Sequence, residues 1–311
     1  MSEPKVIVLC GSRFALPALQ QLAFLRQLAA VAIPEDCEEM IENTKMVLTG
    51  AGIPVIAVSK KTFVKKVTEA IKKNNVDTGL MLTFSYKIPF SLYQLPAKGF
   101  YNVHPGLLPA YRGPDPVFQQ IRNKEKNAGV TIHKVDNDYD TGEVVICEQI
   151  KIDPDDTHGI LNEKLSYTAA KLTGTLLKLL NFDIAIPSRP QDEAKARYYQ
   201  KQVNSDVIIN WQVMEASTII ALINACNPWN KGAITKLNNK IIRVMEATCI
   251  EKPTTPALPG TIIAIDERGV VVAALHNQGV CIQIIYIDEG FLLAKRLKQF
   301  GVMPGARFSL V

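Results

Sequence analysis

Asn102, His104 and Asp140 are the residues whose types could do chemistry together. Asn102 and His104 sit two apart in "GFYNVH" (99–104), a strand-like run, so both point to one face. A loop rich in Pro and Gly, "PGLLPAYRGPDP", follows at once and puts the pair at a strand end. Asp140 lies in the acidic turn "DNDYDTG" (136–142), after the next strand. If the two turns meet at one sheet edge, a carboxylate reaches an imidazole. An amide, an imidazole and a carboxylate suit acyl transfer to an amine. The amide N–H donates to a developing oxyanion. The imidazole moves the amine proton to the leaving nitrogen. The carboxylate orients the imidazole or supports its charged form. No Ser or Cys nucleophile is needed for direct transfer. Spacing alone leaves a structural alternative open, because an Asn or His at a strand end is commonly a hydrogen-bonded residue and "DTG" is commonly a plain turn.

The elements that must position these residues alternate strand and helix. "KVIVLC" (5–10), "PVIAV" (54–58), "DTGLMLTF" (77–84) and "GFYNVH" read as continuous apolar strands. "PALQQLAFLRQLAA" (17–30) and the amphipathic "TFVKKVTEAIKKNN" (62–75) read as helices. That pattern predicts an α/β fold, a mostly parallel sheet of Rossmann type covered on both faces. Ligands then sit beyond the carboxyl ends of the strands, where Asn102 and His104 fall. A helix near Pro114, strands at 129–135 and 143–152, and a long helix over 157–180 follow. "DIAIPSRPQDEAKARYYQKQVNSD" (183–206) loses all periodicity and reads as a linker with some ordered contacts. Beyond it come a helix near 212–226 and short strands separated by Gly, Asn and Pro, the pattern of a small, OB-like β-barrel. The expected division is a catalytic domain over 1–183, a linker over 184–206 and a barrel domain over 207–311.

Composition excludes several classes. The net charge of +5 and pI near 8.8 are mildly basic, a weak pointer to an anionic partner. Six scattered cysteines without a CxxC pair read as free thiols of a reducing cytoplasm. Four scattered histidines give no metal-ligand cluster, so no metal is expected. The N-terminal apolar run is too short for a signal peptide, and no run reaches the roughly 18 apolar residues of a membrane span.

"NVHPGLLPAYRGPDP" followed by "GVTIHKVDNDYDTGEVV" resembles the signature of the folate-dependent formyltransferases. That pattern is Asn-x-His before a Leu-Leu-Pro loop and Arg-Gly, then Gly-Val-Thr, then Asp-Thr-Gly. "GSRFALPAL", "QDEAKARYYQKQVNSDVIINW", "INACNPWNKGAIT" and "GVMPGARF" extend the resemblance over nearly the whole chain, and the two-domain layout is similar to the methionyl-tRNA branch. No separate regulatory domain is visible, which weighs against a formyltetrahydrofolate hydrolase. The resemblance implies 10-formyltetrahydrofolate as donor and places the family's catalytic residues on Asn102, His104 and Asp140. It implies a folate site on Phe84, Ser85, Tyr86 and Ile88 and on Asp136, Asn137, Asp138 and Tyr139, with backbone groups making many contacts. It places the acceptor on Gly11, Ser12, Gly106, Leu107, Leu108, Pro109 and Arg112. Arg112 has two readings, a contact to a substrate phosphate or carboxylate and a brace for its own loop.

Three departures bear on the acceptor. Gly106 replaces the family's usual Ser, and Asp138 its usual Gly. The basic insertion that meets the tRNA acceptor end is replaced by the short acidic "VAIPEDCEEMIENTKMVLTG" (31–50), which would repel phosphate. Residues 191–311 carry 13 Lys plus Arg against 10 Asp plus Glu, too small an excess to mark the barrel as a nucleic-acid platform. "AKRLKQF" (294–300) is a candidate phosphate contact or a solvated helix face. The expected function is formyl transfer to the amino group of initiator methionyl-tRNA. The alternatives are a small amine such as an amino-sugar nucleotide, and a non-catalytic folate- or RNA-binding homologue.

Overall fold

The computed structural model describes residues 4–182, 186–250 and 256–311. Residues 183–185, where the expected catalytic domain gives way to the linker, lie outside them. The chain forms two compact units. The first holds the described residues of 1–116, 127–151 and 162–200; the second holds those of 117–126, 152–161 and 201–311.

The elements run β1 (Val6–Cys10), α1 (Leu16–Phe24), β2 (Leu28–Pro34), α2 (Glu38–Val47), β3 (Val55–Val58), α3 (Phe63–Asn74), β4 (Thr78–Leu82), α4 (Phe90–Tyr93) and β5 (Phe100–His104). They continue with α5 (Pro116–Arg122), β6 (Asn127–Lys134), β7 (Val144–Lys151), α6 (His158–Asn181) and α7 (Ala216–Cys226). The last strands are β8 (Ala233–Leu237), β9 (Lys240–Ile250), β10 (Ile262–Asp266), β11 (Gly269–Ala273), β12 (Gly279–Ile287) and β13 (Gly290–Leu293).

In the first unit seven strands form one sheet in the order β3-β2-β1-β4-β5-β6-β7. β1 to β5 are parallel, and β6 and β7 run antiparallel at the end. Every residue of β1 is fully buried, as a central strand covered on both faces must be. Ile7 and Leu9 share a core with Phe63, Val67, Ala70 and Ile71 of α3. That helix forms because its apolar positions recur three and four apart while its lysines stay outside. It ends where Asn75 turns left-handed at φ 51° and Val76 N–H returns to Ile71 O at 3.0 Å. The chain leaves β1 on one side for β2 and β3, then crosses to β4 on the other. The β1–β4 gap is therefore the topological switch point, with Gly11, Ser12 and Thr83 at its carboxyl edge.

One expectation fails here. The helix expected over 17–30 stops at Phe24, and Leu28–Ala30 opens the buried strand β2. The break is Arg26, left-handed at φ 57°, after which Val6 and Leu28 pair across the sheet. α2 and β13 were also not anticipated.

The second unit carries an antiparallel sheet in the order β10-β11-β12-β9-β8, with β13 on β12. The C-terminal segment bridges the two outer strands. Arg307 pairs with Thr261 beside β10, and Ser309 pairs with Lys236 of β8. The barrel-like closure buries Trp211 against Phe308, rings 5.6 Å apart, with Trp211 Nε1 donating to Thr235 Oγ1 at 2.9 Å. Arg296 and Lys298 of the candidate phosphate contact lie on a one-sided 3-10 helix, Ala294–Phe300, whose Ala294 and Leu297 are buried.

Candidate active site

β5 pairs with β6 so that Asn102 lies opposite His133 and His104 opposite Thr131. Opposed residues share a face. Four polar side chains therefore stand together at the end of two strands. Thr131 Oγ1 donates to Gly106 O at 2.7 Å and accepts from Leu108 N–H at 3.2 Å, so β6 holds the loop that follows His104.

Asp140 arrives from the turn between β6 and β7. The turn is closed by Asp136, whose Oδ1 accepts from Asp138 N–H (3.3 Å) and Thr141 Oγ1 (2.8 Å). Asp140 itself is left-handed at φ 58°. A Cβ on Gly142 would stand 1.8 Å from Lys134 O, so the turn closes only on glycine there. Asp138, at the family's glycine position, has no positive φ; its carboxylate is exposed and lies 3.5 Å from Lys87 Nζ.

The result is one carboxylate oxygen ringed by three side chains. Asp140 Oδ1 accepts from Asn102 Nδ2 at 3.1 Å and lies 3.5 Å from His104 Nδ1 and 3.6 Å from His133 Nε2. Its Oδ2 accepts from Gly113 N–H at 2.9 Å. Since a carboxylate only accepts, the amide group of Asn102 that faces it is the NH2. The second hydrogen of that NH2 goes to His133 Nε2 at 3.1 Å, and His133 Nδ1 donates to Lys134 O at 2.8 Å. His104 Nε2 is 2.6 Å from Tyr111 O and must carry the proton, leaving the Nδ1 lone pair toward Asp140.

Burial pushes the His104 imidazole below its ordinary value of 6.5, and the Asp140 charge offsets only part of that. Burial alone would raise Asp140. The charge that His104 and His133 carry when protonated, together with the Gly113 N–H, outweighs it and holds the carboxyl well below the usual carboxylate range. The resting pair is thus a neutral imidazole, with a free lone pair, beside an ionised carboxylate. That is the arrangement of a general base whose protonated form is stabilised once it forms.

The other expected site residues divide. Ser12 Oγ contacts Thr83 Oγ1 at 2.8 Å at the switch point, and Gly11 lies against Thr83 O. Gly106 packs against the base itself, since a Cβ there would be 2.8 Å from His104 Nε2. Phe84 and Ile88 turn their side chains into the core, which leaves their backbone for a ligand, while Ser85 and Tyr139 are exposed. The two expected folate loops touch: Lys87 Nζ stands 3.5 Å from Asp138 Oδ1 and 5.7 Å from the Tyr139 ring. Arg112 is buried, its guanidinium spread over Gln191 and Glu193. Sequence reasoning passed over His133, although Thr131 and His133 repeat the two-residue spacing of Asn102 and His104. It also passed over Gln191. Among the described residues no cluster of His, Cys, Asp or Glu could hold a metal.

Residues 28–175 match the formyl transferase family, and residues 202–292 match the formyl transferase C-terminal domain. Over 99% of this chain and 98% of its own length, the methionyl-tRNA formyltransferase of Syntrophus aciditrophicus is 30% identical. The chain belongs to the formyl transferase family. A second methionyl-tRNA formyltransferase, from Dictyoglomus thermophilum, is 35% identical over 77% of this chain and 75% of its own. The fold recurs in the N-formyltransferase of Helicobacter canadensis, solved with folinic acid and dTDP-3-aminofucose (TM-score 0.67, 16% identity, 90% of this chain and 98% of that one). It recurs also in HypX of Aquifex aeolicus, solved with tetrahydrofolic acid (TM-score 0.64, 18% identity, 95% of this chain); there this formyltransferase chain spans about half the other's length, 47%.

Proposed function

We propose that this formyltransferase moves a formyl group from 10-formyltetrahydrofolate to the amino group of initiator methionyl-tRNA, in the cytoplasm. The observation that carries the reading is the meeting of Asn102, His104 and Asp140 at one carboxylate oxygen. Similarity to methionyl-tRNA formyltransferase over the full length supports the acceptor. The folate site lies between residues 83–89 and 136–142. The exposed Ser85, Lys87 and Asn137 and the rings of Tyr86 and Tyr139 suit a flat heteroaromatic ring with polar edges. When bound, the folate supplies an activated formyl carbon and a leaving nitrogen. His104 Nδ1 takes the proton of the attacking amine, Asp140 holds the imidazolium, and His104 returns the proton to the leaving nitrogen. Asn102 donates an N–H to the oxyanion, exchanging for it one of its two resting partners.

A small amine is the second reading, and one observation favours it. After burial, Asp36 and Glu35 raise the Tyr86 phenol, so the rim beside the expected folate loop is acidic, which disfavours the many phosphates of a tRNA more than the few of a sugar nucleotide. α2 begins there with Glu38 and Glu39. The deciding experiment offers the purified enzyme 10-formyltetrahydrofolate with charged initiator tRNA or a panel of amino-sugar nucleotides, and follows tetrahydrofolate release. Charged tRNA is expected to react, and with six phosphate contacts the rate at limiting tRNA falls about a thousand-fold between about 50 and 200 mM salt. Turnover of the sugar nucleotides alone rejects the tRNA acceptor. Wild-type turnover by His104→Ala rejects the role given to His104.

A further inference from the structure

The segment 191–199 holds the backbone on both sides of the three reacting side chains. Gln191 Nε2 donates to Asp140 O and to Gly142 O, each at 2.8 Å. These two bonds clasp the turn in which Asp140 is left-handed, a conformation that a non-glycine residue keeps only under constraint. Gln191 is in turn fixed by Arg112. Its Oε1 accepts from Arg112 Nε (3.2 Å) and Nη2 (3.0 Å), and Glu193 takes Arg112 Nη1 (3.0 Å) and Nη2 (2.6 Å). The backbone continues the grip, with Arg112 N–H on Arg197 O and Tyr199 N–H on Arg112 O. Tyr199 stacks on Tyr111 at 5.4 Å and 10°, and Tyr111 O receives His104 Nε2. Gly113, whose N–H binds Asp140 Oδ2, admits no Cβ, which would stand 2.1 Å from Tyr199 O.

We propose that Gln191 is a positioning residue: its amide, braced by Arg112 and Glu193, fixes the Asp140 carboxylate against Asn102 and His104. The proposal rests on the formyl-transfer reading above. It makes Arg112 the brace of the site.

Gln191→Glu, paired with the neutral Gln191→Met so that a lost donor is told apart from an added charge, tests the claim. The carboxylate keeps an acceptor for Arg112 and removes both donors to Asp140 O and Gly142 O. The groups facing His104 are Asp140 and His133, and those facing Asp140 are His104, His133 and Tyr198. With Asp140 displaced, His104 loses the charge that favours its protonated form. In Gln191→Met kcat falls about a hundred-fold, KM stays within about two-fold, and the acid limb of kcat moves to lower pH. The imidazole C–H resonance of His104, assigned by its loss in His104→Gln, titrates with a lower midpoint. That readout needs no acceptor, so an inactive wild type rejects the functional reading while the resonance still judges the strap. An unmoved midpoint in folded Gln191→Met overturns the proposal, as does an unchanged kcat beside an active wild type. Should Gln191→Met not fold, Glu193→Gln, on an exposed side chain, loosens Arg112. It is expected to cut kcat about three-fold with the same direction of shift, and no shift overturns the proposal.

Discussion

Asp140 shows how much one side chain can be asked to do. It accepts from Asn102 and Gly113, stands beside His104 and His133, and sits in a backbone conformation that costs about 1–2 kcal/mol for a non-glycine residue. Its charge is the group that keeps a buried imidazole usable as a base. The sign of its pH effect follows. Burial lowers His104, so in the wild type the acid limb of kcat/KM, which reports the free enzyme, lies below 6.5. Asp140→Asn removes the attraction for the imidazolium. The limb then moves further down in pH, and the plateau falls about a hundred-fold or more because the protonated base has lost its counter-charge. A limb that moved upward would show that Asp140 does not face His104 during turnover. Gly106 belongs to the same scale. The imidazole stands where a side chain at that position would begin, so this departure from the family leaves room for the base to reach Tyr111 O.

The elements divide into those the sequence declares and those it hides. Continuous apolar strands and the lysine-faced α3 were legible because burial on two faces, and amphipathic spacing, leave direct marks on residue type. β2 was not, because Leu28 to Ala30 continue the Leu and Ala stripe of α1, and the break between them is an arginine in the left-handed region, with no Gly or Pro to announce it. The site shows the same division. Asn102 and His104 were legible from spacing on one strand, and Asp140 as a candidate from its turn after the next strand, which the resemblance then strengthened. Gln191 was illegible, since its partners are main-chain oxygens 51 and 49 residues away and no side-chain pattern marks them. β4 and β5 also carry a packing constraint that sequence does not reveal. Gly79 faces the Phe100 ring, and a Cβ at Gly79 would lie 2.3 Å from it. Phe100 opens β5 two residues before Asn102. Gly79→Ala should therefore destabilise the chain by about 1–3 kcal/mol, read by circular dichroism in urea. It should also reduce formyl transfer, because the strand that carries Asn102 and His104 must shift to clear the new methyl. Unchanged stability would mean that the Phe100 ring moves freely away.

At the scale of the whole molecule, the two units reach stability by different routes. The α/β unit buries a central parallel sheet under helices. The second unit is a strand set whose outer strands are covered by residues 305–309, with Ile208 also pairing Ile234 on β8. Phe308 N–H donates to Gly260 O, Ile262 N–H donates to Ala306 O, and Ser309 exchanges both backbone bonds with Lys236. Edges left unpaired are a route to association, so the segment closes the unit and protects it. Phe308 anchors it as one of the largest fully buried side chains, flat against Trp211. Both tryptophans of the chain, Trp211 and Trp229, fall in this unit, so tryptophan emission reports its unfolding separately from the α/β unit. Phe308→Ala removes a ring from a packed site and is expected to cost about 3–5 kcal/mol. The measurement is the urea midpoint by tryptophan emission. Because residues 305–309 are what join the outer strands, the variant should also self-associate at concentrations where the wild type does not. A lowered midpoint without association would mean that the backbone pairing at Arg307 and Ser309 holds the edges closed after the anchor is lost. An unchanged midpoint would remove Phe308 from the core of the unit altogether.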